Sequence, residues 1–231
     1  MKPNIVILSG AGISQESGIS TFRDSNGLWQ NYDIKQVASP EAWQKNPDLV
    51  LDFYNQRRRQ LLKVKPNAAH KAISELQKHF PVYVITQNVD DLHERAGNQN
   101  VLHLHGELIK VRSVKNPSLI YPWYKDLHRG DVAEDGAQLR PHIVWFGETV
   151  PAINQATKLT QQADIFIIVG TSMQVYPAAG LIQALPPNAQ IFYIDPHPAP
   201  LNVNHHTKVI AQKSGVALPE LVSQLIKKYV H

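Results

Sequence analysis

The chain has 231 residues, 43% of them hydrophobic, with 23 Lys and Arg against 19 Asp and Glu for a formal charge of +4. That composition supports a folded core and excludes long disorder; the mild positive balance suits an anionic small ligand and falls short of a nucleic-acid footprint, so no nucleic-acid partner is expected. There are no cysteines, which excludes disulfides, thiolate nucleophiles, iron–sulfur clusters and every cysteine-based zinc site.

Met1-Lys2-Pro3-Asn4 leads into an apolar run at residues 5–8, too short for a secretory core of roughly 7–15 residues. No apolar run reaches the roughly 18 residues of a membrane span. A cytoplasmic protein with no membrane partner is the expectation, and residues 5–8 read as a buried strand. Gly10-Ala11-Gly12-Ile13-Ser14 follows directly. Between a strand and a helix, such glycines let backbone N–H groups approach a phosphate. The hydride-transfer fingerprint would place a third glycine at position 15, which is Gln15; a dehydrogenase is disfavoured, and from this motif alone a tight turn without a ligand stays open.

Residues 25–65 hold a loop and then a long helical pattern from Pro40. Within it, residues 49–62 place Tyr54 and Arg57 three apart, on one helix face. A phenol beside a guanidinium can receive a carboxylate, the guanidinium in bidentate fashion; the alternative is a core tyrosine next to a solvated Arg57–Arg59 face. A helix is expected at 66–79, a strand at 82–85 and a helix at 90–96. Gln87-Asn88-Val89-Asp90 then falls beyond a strand's carboxyl end, where open α/β sheets bind ligands. A strand at 101–104 carries His103 and leads to His105; as a metal pair these histidines lack a third ligand of convincing spacing. Residues 107–141 break the alternation with turn signals at Asn116-Pro117, Arg129-Gly130 and Asp135-Gly136. Helices at 152–162 and 178–184, strands at 165–169 and 191–194, and a closing helix at 218–230 complete the reading. The expected fold is α/β, a doubly wound parallel sheet (Rossmann-like) with a smaller inserted module. Residues 1–24, 66–106 and 142–231 would form the large domain, and 25–65 and 107–141 the module.

Gly10-Ala11-Gly12-Ile13-Ser14, Gly18-Ile19, Phe22-Arg23-Asp24, Gly27-Leu28-Trp29, Gln87-Asn88-Val89-Asp90, Leu104-His105-Gly106, Arg140-Pro141, Val144-Trp145-Phe146-Gly147-Glu148, Gly170-Thr171-Ser172 and Val175-Tyr176-Pro177-Ala178-Ala179 occur in that order. Together they resemble the sirtuins, the NAD-dependent protein deacylases. The resemblance implies that NAD is consumed, that the partner is a protein carrying an acylated lysine, and that nicotinamide and O-acyl-ADP-ribose are produced. It implies a pyrophosphate held by N–H groups of Gly10, Ala11 and Gly12 with Ile13 and Ser14 beside them. Arg23 would meet a phosphate next to Asp24, Phe22 would wall the nicotinamide side, and Trp29 would belong to the same site. Gln87, Asn88 and Val89 would hold ribose hydroxyls or a water, and Asp90 the nicotinamide carboxamide. His105 would be the general base, with Asn88 the second catalytic residue. Gly170, Thr171 and Ser172 would contact phosphates and the adenosine ribose, and Asp195 the hydroxyls of that ribose. Phe146 and Val175 would line the lysine tunnel, with Gly147, Glu148 and Tyr176 flanking the peptide.

Tyr54-x-x-Arg57 resembles the class III signature, which implies succinyl- and malonyl-lysine as substrates, acetyl still fitting. The family's four zinc cysteines are absent. Ser113 stands about where the first would fall, and 131–138 offers only Asp131, Glu134 and Asp135, a poor zinc set. No zinc is expected, and Leu119, Ile120, Tyr121, Trp123 and Tyr124 would hold the module by packing. Two rivals share the fold: an ADP-ribosyltransferase or NAD hydrolase, and a non-catalytic sensor of NAD or ADP-ribose.

Overall fold

The computed structural model describes residues 2–19, 28–29, 32–201, 203 and 206–230. Its centre is a six-stranded parallel sheet of β1 (Ile5–Ser9), β4 (Val82–Thr86), β5 (Val101–His103), β9 (Ile165–Val169), β10 (Gln190–Ile194) and β11 (Thr207–Ile210). The order across the sheet is β5-β4-β1-β9-β10-β11. Chain order reverses between β1 and β9, and a crevice opens at such a point beyond the carboxyl ends. The glycine loop after β1 leads into a single helical turn, α1 (Gly12–Gln15).

Every residue of β1 and β9 is buried, because helices cover both faces. Ile5 and Ile7 point into one cluster with residues of α5 (Ala68–Gln77) and α8 (Ser214–Tyr229). Val6 and Leu8 point into the other, beneath α7 (Ile153–Thr160) and a 3-10 helix at Ala178–Ala184. This period of two is what a strand demands. The α/β doubly wound fold expected from the sequence is the one observed.

Beyond the sheet lie a two-stranded ribbon of β2 (Leu28–Trp29) and β3 (Tyr32–Asp33), and the helices α2 (Ile34–Val37), α3 (Pro40–Lys45) and α4 (Pro47–Leu61). An antiparallel sheet of β6 (Gly106–Ser113), β7 (Ile120–Pro122) and β8 (Leu139–Ile143) completes this part, with β6 in the middle. Phe53, Tyr54 and Leu61 share a core with Leu108, Ile143 and Trp145, so α4 packs directly on the antiparallel sheet.

Several local expectations are corrected. The helical stretch from Pro40 is two helices: Asn46 caps α4 through Leu49 N–H with Pro47 in the first turn, and a helix cannot run through that proline. Residues 178–184 form 3-10 rather than α structure, with Gly180 lowering helix propensity mid-segment. The closing helix starts at Ser214 and carries Pro219 inside it as its sixth residue. β11 has no counterpart among the expected strands; its pattern of half-buried and exposed residues suits a sheet edge. In the small sheet, Leu119, Tyr121 and Trp123 pack on Leu51, Val111, Leu127, Ala133 and Leu139, but Ile120 and Tyr124 are exposed and hold nothing together. Among the described residues, no helix is long and apolar enough to cross a membrane.

Candidate functional site

The glycine loop meets the loop after β9 where the sheet order reverses. A Cβ on Gly12 would lie 2.7 Å from the Gly170 Cα, and one on Gly10 2.7 Å from the Gly170 oxygen. Gly170 has φ +62°, and its own Cβ would fall 2.3 Å from the Ile13 nitrogen, so only glycine fits all three places. The N–H of Gly10 donates to Val169 O at 3.0 Å and that of Gly12 to Gly170 O at 2.8 Å. This corrects the expectation that both present free N–H groups to a phosphate: their glycines are required by loop-on-loop packing.

Behind this contact the loop after β4 carries a chain of polar groups. Asn88 Nδ2 donates to Ser14 Oγ at 3.1 Å, and Ser14 Oγ donates to Asp90 Oδ2 at 2.9 Å. The Asn88 N–H is held by Thr86 Oγ1, and Asp90 Oδ1 accepts from Leu92 N–H, opening α6 (Leu92–Arg95). Asn88 and Asp90 are both buried. Burial pushes the Asp90 carboxyl up, and its bonds from Leu92 and Ser14 offset only part of that. Gln87 Nε2 donates to Thr171 Oγ1 at 3.0 Å, so that amide and that hydroxyl join the two loops.

His105 sits in the bend between β5 and β6, just beyond the strand it was expected to end. Its Nδ1 lies 2.9 Å from the Gln87 carbonyl. A carbonyl only accepts, so Nδ1 carries the proton and Nε2 keeps its lone pair. Burial lowers the His105 pKa, the Gln87 bond working weakly against it. The next residue, Gly106, has φ +81°, and a Cβ there would lie 2.0 Å from His142 O; the sharp turn that presents His105 needs this glycine.

A cavity of about 90 Å³ opens beside the loop, lined by Ala11, Ser14, Ile19, Arg57, Gln60, Leu61, Gln87, Asn88, Val89, Asp90 and Leu108. Arg57 therefore stands on the same wall system as Asn88 and Asp90. Its guanidinium is buried, which lowers its pKa to about 10, with Tyr54 and Asp90 working the other way; it stays charged at neutral pH. Tyr54 is 1% exposed, and burial pushes its phenol up to about 12, so it is a neutral donor. Its oxygen accepts from Trp145 Nε1 at 3.0 Å, which leaves the phenol proton to be donated elsewhere. Tyr54 is in the core, but the expected solvated Arg57–Arg59 face is corrected: Arg57 and Arg58 are buried, and Arg57 lines the cavity.

Phe146 is 52% exposed, Tyr176 76% and Val175 37%, three apolar side chains on the surface; Gly147 is also exposed. The Glu148 carboxylate is engaged within the fold. It accepts from Arg140 Nη1 at 2.7 Å, Arg140 Nη2 at 3.2 Å and Trp145 N–H at 2.8 Å. Burial would raise its pKa, but these bonds and the charges of Arg140 and Arg112 bring it below the usual range. Asp195 Oδ1 accepts from His197 N–H at 2.8 Å. Ser172 follows Thr171 in the loop after β9. Phe22, Arg23 and Asp24 lie outside the described residues, as does the side chain of Trp29. Gln60, Leu61 and Leu108 join the cavity without having been expected there; Gln60 and Leu61 lie three and four residues beyond Arg57, the spacing of one helix face.

At Ser113, about where the family's first zinc cysteine would fall, Oγ donates to Asp135 Oδ2 at 2.7 Å and accepts from the N–H groups of Lys115 and Asn116. Among the described residues, no group of three His, Asp or Glu could hold a metal ion.

Residues 10–177 match the profile of the Sir2 family. The chain is 58% identical over 224 residues to the NAD-dependent protein deacylase of Helicobacter pylori, covering 97% of this chain and 98% of that protein. It is 51% identical over 229 residues to the NAD-dependent protein deacylase of Bacteroides thetaiotaomicron, covering 96% and 98%. The crystal structure of a Sir2 homologue–NAD complex superposes with a TM-score of 0.88 at 38% identity, over 98% of this chain and 90% of that one.

Proposed function

Because the chain belongs to the Sir2 family and is an NAD-dependent protein deacylase, we propose that its preferred substrates are lysines carrying acidic acyl groups, succinyl and malonyl, with acetyl accepted less well. The observation that carries this reading is Arg57, a buried cation lining the cavity that Asn88 and Asp90 also line, with Tyr54 three residues before it. A carboxylate at the end of the acyl chain would meet a charged fork and a phenol donor, and hydrogen bonds to charged groups contribute about 1.5–3 kcal/mol each. A neutral acetyl group would gain neither.

The residues present fit NAD. The close-packed Gly10–Gly12 and Gly170 loops shape a crevice, and the buried Asn88–Ser14–Asp90 chain ends in groups suited to a carboxamide and ribose hydroxyls. When bound, NAD supplies a ribose carbon whose bond to nicotinamide breaks and to which the acyl oxygen of the modified lysine adds. Ala11, Ile13, Ser14, Gly170, Thr171 and Ser172 would cradle its phosphates, Arg23 would meet a phosphate next to Asp24, Phe22 would wall the nicotinamide side, and Trp29 would belong to the same site. Asp195 would hold the adenosine ribose, Gln87 and Val89 the other. Asn88 would orient the reacting ribose, and His105 Nε2 would remove a proton from its hydroxyl. Phe146 and Val175 would flank the lysine stem, and Gly147, Glu148 and Tyr176 the peptide, by main-chain pairing. We place the two units at 1–24, 66–106 and 142–231 for NAD and at 25–65 and 107–141 for the module, and the protein in the cytoplasm.

The test is product analysis by mass spectrometry with matched acetyl-, malonyl- and succinyl-lysine peptides. The expected kcat/KM is at least roughly tenfold higher for the acidic peptides. Arg57→Met should lower it on the order of a hundredfold for succinyl while changing acetyl by only a few fold. Equal turnover of neutral and acidic peptides overturns the reading. Nicotinamide release without any acyl peptide would point to NAD hydrolysis instead.

A further inference from the structure

His105 has a neighbour that the chemistry above does not use. His103, at the end of β5, is nearly buried, and each of its ring nitrogens faces a group that only accepts. Nδ1 lies 3.0 Å from the Asn88 carbonyl and Nε2 lies 2.8 Å from Glu94 Oε1. Both bonds form together only if both nitrogens carry protons, so His103 is an imidazolium. His105, two residues on, bonds the adjacent carbonyl, that of Gln87. The two histidines thus grip consecutive peptide oxygens of one loop in opposite protonation states.

We propose that the His103–Glu94 ion pair is a positioning device that fixes the Asn88 peptide and thereby aims the Asn88 amide and the Asp90 carboxylate at the nicotinamide end of the site. With its N–H held by Thr86, its side chain by Ser14 and its carbonyl by His103, Asn88 is constrained at three points. Of these, the His103 bond carries a full charge, which makes it the strongest.

The groups facing His103 are Glu94 and His93 from α6, Glu107 from β6, and Asn88 and Asp90 from the loop. Glu107 is itself paired with Lys110 at 2.6 Å, and Lys110 also acts on Glu94. Burial works against the charge, but the Glu94 bond and charge, Glu107 and the Asn88 carbonyl outweigh it and hold His103 above the ordinary histidine value. Once deprotonated at higher pH, His103 has one proton for two acceptors, and Asn88 loses its donor for part of the time.

Two measurements test this. The first is histidine 15N NMR of the ligand-free protein, with His103→Asn used to assign the signal. His103 is expected to titrate above the ordinary histidine value, and in Glu94→Gln to titrate lower than in the parent protein. The second is the pH profile of kcat/KM for NAD. His103→Ala should lower it on the order of ten- to a hundredfold, the range expected for misplaced reacting groups. His103→Asn, whose amide can still donate to the Asn88 carbonyl, should recover most of that loss and abolish the alkaline fall. Glu94→Gln should move that fall to lower pH. A His103 that titrates at or below the ordinary histidine value, or an asparagine variant no better than the alanine one at equal thermal stability, overturns the proposal.

Discussion

His105 illustrates how a single hydrogen bond selects a chemical role. Because the Gln87 carbonyl takes the Nδ1 proton, the basic lone pair is placed on Nε2, and because burial lowers the pKa, that lone pair stays unprotonated at mildly acidic pH. Activity that needs neutral His105 should therefore hold down to a pH below the ordinary histidine value of about 6.5, and kcat/KM should fall only beneath it. His105→Ala should lower kcat/KM by roughly a hundred- to ten-thousandfold, the usual contribution of a general base, at unchanged melting temperature. An acid limb centred above pH 6.5 would contradict the assignment. The motif around His105 was readable in the sequence because its residues are contiguous. The partner of His103 was not: Glu94 is nine residues earlier, and the two meet only because β5 pairs alongside β4 with Thr86 opposite His103.

At the scale of elements, the small antiparallel sheet shows what can stand in for a metal. Ser113 at the end of β6 gathers the Lys115 and Asn116 N–H groups and donates to Asp135, which in turn accepts from Ala137 N–H through its other oxygen. One buried hydroxyl thus joins Asp135 to the Lys115 and Asn116 N–H groups directly, and reaches Ala137 through Asp135. Ser113→Ala should leave those donors without their acceptor, costing on the order of 1–3 kcal/mol. Amide exchange at 115, 116 and 137 should accelerate, while kcat for acyl-lysine peptides changes little. Unchanged exchange at these amides would show that packing by Leu119, Tyr121 and Trp123 suffices alone. The Ser113–Asp135 bond also holds the Asp135 carboxyl below its usual range, so its titration should return upward in the variant. The buried strands of the large sheet were legible as β-branched runs bounded by turn residues. The strands of the small sheet were not, since β7 is largely exposed and carries no apolar alternation, and its register depends on β6 in the middle.

For the molecule as a whole, two fully buried histidines that take no part in the proposed chemistry lower its tolerance of acid, alongside His142, whose pKa burial also lowers to about 4. His70 on α5 and His93 on α6 are fully buried with ring centres 5.0 Å apart. His93 Nε2 bonds Ser9 Oγ, whose own proton goes to Thr86, so the pair ties two helices to the middle of the sheet. Burial lowers the His70 pKa to about 4 and that of His93 well below its ordinary value. The unfolded chain binds protons at these sites from about pH 6.5 downward while the folded chain refuses them, so stability falls as pH falls through that window. For His70 the loss amounts to roughly 3 kcal/mol by pH 4, since each tenfold difference in proton affinity between the folded and unfolded chain corresponds to about 1.4 kcal/mol. Asp90 and Asp91, raised by burial, act in the opposite sense. Urea midpoints should accordingly drop steadily between about pH 6.5 and 4.5. His70 also closes the capping box of α5 with Asn67, a position where glutamine serves equally well. His70→Gln should therefore keep stability at pH 8 within about 1 kcal/mol and flatten the acid slope. A slope as steep as that of the parent protein would show that other groups take up the protons.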